Sequence, residues 1–426
     1  MNVLIVGGGG REHALAWKAA QSPLVHTVFV APGNAGTALE LGVENVPIEV
    51  DDLVALRYFA LEHGVGLTIV GPEAPLVAGI VDEFRAAGLN CFGPTQAAAQ
   101  LEGSKSFCKA FLTRHGIPTA AYASFTDVEA AAAYIGAMDV PIVVKADGLA
   151  AGKGVVIATN RAEALAAVQD MLEGNAFGEA GSRVVIEEFL DGEEASFIVM
   201  ADGTHALALA TSQDHKARDD GDKGPNTGGL GAYSPAPVVT PAIHERVVRE
   251  IIEPTLAGMS ADGIPYTGFL YAGLMIGKDG TPKVLEFNCR FGDPETQPIM
   301  MRLNSDLVEL CLAAVDGKLD RIHAEWDPRP ALAVVMAAEG YPNEYRKGDA
   351  IAGLPEPRTE NAKVFHAGTR QHDGQIVTSG GRVLCACALG DTVADAQRLA
   401  YEVAGKIHWQ GVFFRRDIGH KAIGRH

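Results

Sequence analysis

Aromatic residues are scarce in this chain, 7% of 426 residues, and the charge is lopsided, with 53 acids against 35 lysines and arginines. The formal net charge of −18 excludes a general nucleic-acid or anionic-membrane binder unless the basic residues gather locally. No CxxC pair occurs among the six cysteines, and only Cys385 and Cys387 lie close together. In the strand-like RVLCACAL their two-residue spacing sets both on one face, as small buried residues in preference to a zinc or redox site. No run approaches the roughly 20 apolar residues of a membrane span. Met1 leads straight into a strand and a glycine loop, so no leader is expected, and no fused domain is expected after His426. Together these absences imply a cytoplasmic, reducing-compartment protein.

What the chain has in quantity is glycine, 49 residues, beside a 47% hydrophobic fraction. That combination favours an α/β protein with tight strand-to-helix turns, and the length predicts two to four domains. The stretch VLIVGGGGREHALAWKAA begins at Val3 with the outline of a dinucleotide-binding turn. Read from Gly7, however, the third glycine is replaced by Glu12, and read from Gly8 by His13. The next strand ends in Ala31, Pro32, Gly33 and Asn34 and offers no acid for a ribose. A nicotinamide dinucleotide is therefore disfavoured. Glycine N–H groups at a helix start still suit an anion, and Arg11 adds a forked cation. A phosphate monoester at Gly9, Gly10 and Arg11 is the functional reading; a tight turn with a surface arginine is the plainer one.

Residues up to about 100 alternate strand and helix, including TIVGPEAPLVAG with a helix near 80–87, as in a small doubly wound domain. AAAQLEGSKSFCKAFLTRHGIP reads as one helix with an apolar face at Phe107, Phe111 and Leu112, closed by Gly116 and Pro118. From about 120 to 190, antiparallel strands with helices are expected in a compact subdomain. Strands and helices alternate again between 195 and 325 around a long polar loop. After EWDPRP come β segments and one helix near 391–407.

Several stretches carry chemistry. VVKADGLAAGKGV sets Lys145 at a strand end and Gly148, Gly152, Lys153 and Gly154 in a flexible loop; it lacks the hydroxyl of a P-loop but suits a lid over phosphates. RVVIEEFLDGEEASF places Glu187, Glu188, Glu193 and Glu194 around Phe189 and Leu190, fitting an adenine and ribose slot or simply a solvated acidic turn. In KVLEFNCRFGDPETQ, alternation sends Glu286, Asn288 and Arg290 to one face and Leu285, Phe287 and Cys289 to the other. Glu286 and Asn288 are hard oxygen ligands suited to Mg²⁺, and Arg290 is placed to neutralise a transferring phosphoryl group. Asp293 and Glu295 follow in a turn. SQDHKARDDGDKGPNTGGLGAYSPAP is too long and polar for a connector; it supplies Asp214, Lys216 and the backbone of Pro225, Asn226, Thr227, Gly228 and Gly229. No acid–base role is assigned to His215. With no nucleophile elbow, the residues point to phosphoryl transfer from ATP to a carboxylate.

On these motifs the chain resembles the glycinamide ribonucleotide synthetases of the ATP-grasp superfamily, through GGREHA, GPEAPLV, EGSKSF, VVKADGLAAGKGV, the SQDHKARDDGDKGPNTGG loop, GFLYAGLM and EFNCRFGDPETQP. The resemblance covers essentially the whole chain. It implies an α/β, multidomain ATP-grasp fold: an N-terminal Rossmann-like domain at 1–102, ATP-grasp domains at 103–325 with a lid subdomain near 121–190, and a small α+β C-terminal domain at 326–426. It implies that Lys105, Lys145 and Gly152 hold ATP phosphates, that Glu187, Leu190 and Glu194 form the adenine and ribose pocket, and that Glu286 and Asn288 hold Mg²⁺ or Mn²⁺. Glycine, 5-phosphoribosylamine and ATP would be the substrates, with no nucleic acid or membrane partner, in a monomer or weak dimer. Gly9, Gly10, Arg11 and Glu73 would hold the phosphoribosyl end. Asp214, Lys216, the 225–229 loop, Arg290 and Asp293 would line the substrate pocket, with Arg290, Lys145 and Lys216 catalytic. The phosphoribosyl end and the nucleotide would lie two domains apart. Two departures from the family pattern are Leu230, where a methionine is usual, and Ala217, which separates Lys216 from Arg218. Three alternatives stay open: a related ligase activating formate or bicarbonate, an NAD-dependent oxidoreductase, and a non-catalytic nucleotide-binding module.

Overall fold

Four fully buried residues in a row, Val3 to Val6, mark a strand covered on both faces, as parallel sheets require. A computed structural model of the chain describes residues 1–149, 154–174, 181–355 and 361–425. In it Asn2–Gly7 is the middle of a five-stranded sheet, flanked by Thr27–Pro32 and Val65–Val70, with Val43–Asn45 and Cys91–Phe92 at the edges. All four pairings are parallel, which gives the doubly wound N-terminal unit expected from the strand–helix alternation.

Two further sheets follow. Tyr122–Phe125, Val184–Glu188, Ile142–Ala146 and Val155–Ala158 form an antiparallel sheet, backed by the helices Val128–Ala137 and Arg161–Leu172. Ala131, Ile135, Val144, Val168 and Ile186 give this subdomain its own core. Gly152 and Lys153 of the glycine loop lie outside the described residues. The second sheet aligns Ala206–Ala208, Glu193–Asp202, Thr267–Ile276 and Pro282–Asn288. The stretch read as one helix is two: Gln100–Gly103 and Lys105–Arg114 are separated at Ser104. The Ser104 side chain accepts the Phe107 N–H, so a serine inside an apparently continuous pattern acts as an N-cap and restarts the helix.

The C-terminal sheet departs from the expected boundary at 326. Its order runs from Gln213–Asp214 through Gly231–Ser234, Ala331–Ala338 and Arg382–Leu389 to Ala362–His366. Two of these strands come from the long polar loop, and Gly231 to Ser234 pair with Val334 to Ala331. The loop is thus a sheet component with a small hairpin, Ala217–Asp219 with Lys223–Asn226, projecting from it. Cys385 and Cys387 are buried and free, as expected of small core residues. Among the described residues no helix is long and apolar enough to cross a membrane.

One core cluster runs through all three regions, joining Ile5 and Phe92 to Phe269, Phe291 and Met300, and these to Val335, Phe365 and Cys385. Phe269 lies edge-on to Phe92, with ring centroids 4.8 Å apart, and 4.8 Å from Phe291. Truncating such a residue removes contacts with both neighbours and leaves a cavity at a junction. Phe269→Ala is expected to destabilise the chain by roughly 3–5 kcal/mol, read as a lower urea midpoint. A loss below about 1 kcal/mol would show that the junction is not a shared core.

Candidate active site

A cavity of about 530 Å³ lies where the N-terminal unit, the lid subdomain, the central sheet and the C-terminal sheet meet. Its floor is the strand Pro282–Asn288, which does not alternate as its sequence suggests. Gly273 pairs with Glu286 but Leu274 with Val284, so Leu285 is an extra residue in a bulge. Val284 and Phe287 are both buried, and Phe287 also borders the cavity. Leu285, expected to face away, lines the cavity beside Glu286. Its carbonyl accepts a hydrogen bond from Lys145 at 3.3 Å.

Positive charge is gathered here in an acidic chain by buried counter-charges. Glu187, 2% exposed, lies 2.9 Å from Lys145 and 2.8 Å from Lys109. Lys109 follows Lys105 by one helical turn, so both ammonium groups leave the same helix face. Lys105 is held at the helix start: its N–H donates to the Asp147 carbonyl at 3.0 Å and its Nζ to the Gly148 carbonyl at 2.9 Å. The Asp147 carboxylate accepts from the Ser106 N–H at 2.6 Å, tying the loop after Lys145 to that helix. Burial pushes both Lys105 and Lys109 below the ordinary lysine value. Burial alone would raise Glu286, yet the ammonium groups of Lys216, Lys145 and Lys105 hold it below the ordinary carboxylate value.

Glu286 accepts from the Asn288 amide at 3.4 Å, so a carboxylate and an amide stand side by side. Among the described residues no group of three or more His, Cys, Asp or Glu side chains could hold a metal alone. A divalent ion bound by these two hard donors would take its other ligands from phosphate oxygens and water, a coordination that suits Mg²⁺.

The opposite wall carries Arg290, which lies 3.3 Å from Glu73 and 3.1 Å from Glu102. Glu102 also accepts the Cys289 N–H at 2.6 Å. Burial raises Glu102 to about 7, against the pull of Arg290. Glu73 is brought down by Arg290 and Arg11 in spite of burial. Lys216 lies 2.8 Å from Glu194. Burial would lower Lys216, but Glu194 and Asp214 raise it well above the ordinary value. Asp214 is raised to about 7 by burial, with Lys216 opposing and Glu295 adding to the rise.

Of the expected site residues, the cavity brings together Arg11, Glu73, Lys105, Lys145, Glu187, Leu190, Glu194, Asp214, Lys216, Asn226, Thr227, Gly228, Glu286, Asn288, Arg290 and Asp293. The residues expected to hold the phosphoribosyl end, Arg11 and Glu73, and those expected to hold the nucleotide thus line one cavity. The structure does not bring in Gly9, Gly10, Pro225 or Gly229. Gly10 is buried, with no room for a Cβ against Gln297, and Gly229 packs on Pro294. Pro225 is exposed. The glycine cradle already holds an anion from its own chain. Glu12 accepts the Gly9 N–H at 2.6 Å and pairs with Arg11 at 2.5 Å. A Cβ at Gly7, whose φ is +132°, would meet Glu12 Cγ at 2.3 Å, and one at Gly71 would meet Oε1 at 2.0 Å. The acid that breaks the dinucleotide pattern is what the glycines accommodate. Arg218 pairs with Asp219 at 2.8 Å and does not line the cavity.

Glu102, Lys109, Tyr341 and Arg382 line the cavity without having been singled out from sequence. Glu102 stands in EGSKSF, and the Lys105–Lys109 spacing was legible. Arg382 carried no local signal. It donates to the Gly228 carbonyl at 2.6 Å and the Asp293 carbonyl at 2.7 Å, and its guanidinium lies 3.3 Å from the Asp293 carboxylate. Arg382 and Arg11 hold Asp293 below the ordinary value, although burial opposes them.

Family models match three successive segments: the phosphoribosylglycinamide synthetase N domain at residues 1–102, its ATP-grasp (A) domain at 103–296 and its C domain at 331–421. The chain belongs to the phosphoribosylglycinamide synthetase family. It is 68% identical over 425 residues to phosphoribosylamine–glycine ligase of Vibrio vulnificus strain CMCP6, covering 100% of this chain and 99% of that protein. It is 67% identical over 426 residues to the ligase of that name from Escherichia coli O6:H1, with the same coverage. The solved structure of the ligase from Thermotoga maritima shares 36% identity at a TM-score of 0.85, over 98% of this chain and 100% of that one. A 2-oxoglutarate carboxylase biotin carboxylase domain from Hydrogenobacter thermophilus, at 17% identity and a TM-score of 0.74, over 97% of this chain and 91% of that one, shares the fold.

A carboxyl raised from 4.5 to about 7 on folding binds more protons in the native than the unfolded state between those values. Glu102 therefore contributes a loss of stability as pH rises through that window. Urea midpoints measured from pH 5 to 8 are expected to fall less steeply for Glu102→Gln than for the unsubstituted protein. An unchanged slope would contradict the shift.

Proposed function

We propose that this chain ligates glycine to 5-phosphoribosylamine, with ATP converted to ADP and phosphate. The observation that carries the reading is the convergence of Lys105, Lys145, Glu286, Asn288, Arg290, Asp214 and Lys216 on one cavity, in a member of this family. The glycine carboxylate attacks the γ-phosphorus of ATP; an O–P bond forms, the bond to ADP breaks, and glycyl phosphate results. The amine of phosphoribosylamine then attacks the acyl carbon and loses a proton. The C–O bond breaks, and phosphate leaves with one oxygen of the original carboxylate.

The position of each residue supports a part in these steps. Lys105 and Lys145 neutralise the ATP phosphates, and Glu187 orients Lys145 through their 2.9 Å ion pair. Leu190 and the ribose-facing acids close the nucleotide end. Glu286 and Asn288 would hold Mg²⁺ or Mn²⁺, which supplies charge neutralisation at the transferring phosphoryl group. Arg290 stabilises negative charge on that group from the other wall. Arg11 takes the phosphate of the sugar, without the Gly9 and Gly10 amides as its main donors. Asp214, Lys216 and the Asn226–Thr227–Gly228 backbone surround the amine and glycine. A monomer or weak dimer in a cytoplasmic setting completes this reading.

Arg290→Ala and Glu286→Ala are each expected to lower the rate of ADP release by about a hundredfold or more, with ATP, glycine and phosphoribosylamine all present. Formate and bicarbonate in place of glycine are expected to give none. Near-normal turnover in either variant would overturn the roles of Arg290 and Glu286, and turnover with formate or bicarbonate would overturn the substrate.

A further inference from the structure

Asp214 and Lys216 line the cavity, and the residue between them, His215, points the other way. Its side chain is buried, and its Nε2 accepts the Gly419 N–H at 3.0 Å. The proton of the neutral ring must therefore reside on Nδ1, which faces the Asp222 carboxylate at 3.7 Å. That distance is too long for a hydrogen bond and short enough for attraction. Burial keeps the ring uncharged against the pull of Asp222, aided by Arg415 and Lys421.

Asp222 stands at the tip of the hairpin that follows Lys216, with φ at 56°. It is gripped by the same chain segment that meets His215: Arg415 lies at 2.9 Å and Lys421 at 3.0 Å. Arg415, 2% exposed, also donates to the Ala217 carbonyl at 3.0 Å. On the cavity side, the Lys216 carbonyl accepts the Thr227 N–H at 2.8 Å and the Thr227 hydroxyl at 2.9 Å. A continuous path of contacts thus runs from segment 415–421, through His215 and the hairpin, to four cavity-lining residues, Asp214, Lys216, Thr227 and Gly228. Nothing in the chemistry of the reaction requires a histidine on the far side of that strand. A buried ring that receives a backbone N–H from the tail gives the placement a reason.

We propose that His215 is a positioning residue, through which segment 415–421 of the C-terminal domain holds Asp214 and Lys216 at the amine end of the cavity. The amine end is that of the function proposed above, so the inference rests on that reading. Glutamine can place an amide oxygen near the position of Nε2, whereas leucine removes the acceptor and strands the Gly419 N–H.

The experiment compares His215→Leu, His215→Gln and Asp222→Ala in the full chain by steady-state kinetics and by hydrogen exchange of the 217–226 amides. His215→Leu is expected to raise KM for phosphoribosylamine about three- to tenfold, the worth of one net hydrogen bond. KM for ATP should rise less than KM for the amine, since Lys216 also pairs with Glu194; exchange in the hairpin should quicken, and His215→Gln should restore the amine KM and the exchange. Asp222→Ala is expected to act in the same direction and less than additively with His215→Leu. An unchanged KM for the amine, an equal rise in KM for ATP, or no rescue by glutamine would overturn the proposal. If the unsubstituted protein showed no ligase turnover, the function would fall, and unchanged hairpin exchange in His215→Leu and Asp222→Ala would separately refute the clamp.

Discussion

Glu187 holds two lysine ammonium groups within 3 Å inside a protein whose net charge is −18. Desolvating three charges costs several kcal/mol each before their attraction is counted, and well-packed apolar residues would often be as stable. Such an arrangement makes sense where a polyanion has to be received. Lys145 reaches the cavity because Glu187 compensates it, and Lys109 balances the second oxygen of the same carboxylate. The opposite wall repeats the pattern in reverse sign, with Arg290 between Glu73 and Glu102. Lys145 and Arg290 are thus each oriented by an acid, whereas Lys105 is held by the Gly148 carbonyl.

The position of these charges depends in turn on backbone irregularities and on packing between regions. The bulge at Leu285 puts two successive residues, Leu285 and Glu286, on the cavity side while Val284 and Phe287 stay in the core. Glu12 fills the space beside Gly7 and Gly71 and pairs with Arg11, which reaches the cavity from the first loop. Arg382 crosses from the C-terminal sheet to join the carbonyls of Gly228 and Asp293. With a core that is continuous from Ile5 to Phe365, the three family domains form one frame around the site.

Much of this was legible in the sequence, for reasons that are local. The parallel strands announced themselves as continuous apolar runs, and Gly116 with Pro118 marked a helix end. Glu286 and Asn288 were found because two-residue spacing survives from Glu286 onward. The same rule misplaced Leu285, because a bulge inserts one residue and leaves no mark in composition. Ser104 was read through, since an N-cap inside an apolar pattern resembles an ordinary helical serine. Glu12 was recognised as breaking a dinucleotide motif, but its capture of the Gly9 N–H depends on Gly71, some sixty residues on. Arg382 and Tyr341 reach the cavity only through strand pairing between distant segments, which no window of sequence contains. The long polar loop was read as more than a connector from its length, but the pairing of its strands with the C-terminal sheet is non-local and left no mark in the sequence.

The central claim is that a carboxylate is activated as an acyl phosphate in this cavity and then taken by an amine. The most direct measurement supplies glycine labelled with ¹⁸O in its carboxylate and follows the label into inorganic phosphate by mass spectrometry. Transfer of one labelled oxygen into the phosphate released with each glycinamide ribonucleotide is the expected result. Product formation with unlabelled phosphate would contradict the acyl phosphate and the roles drawn from it.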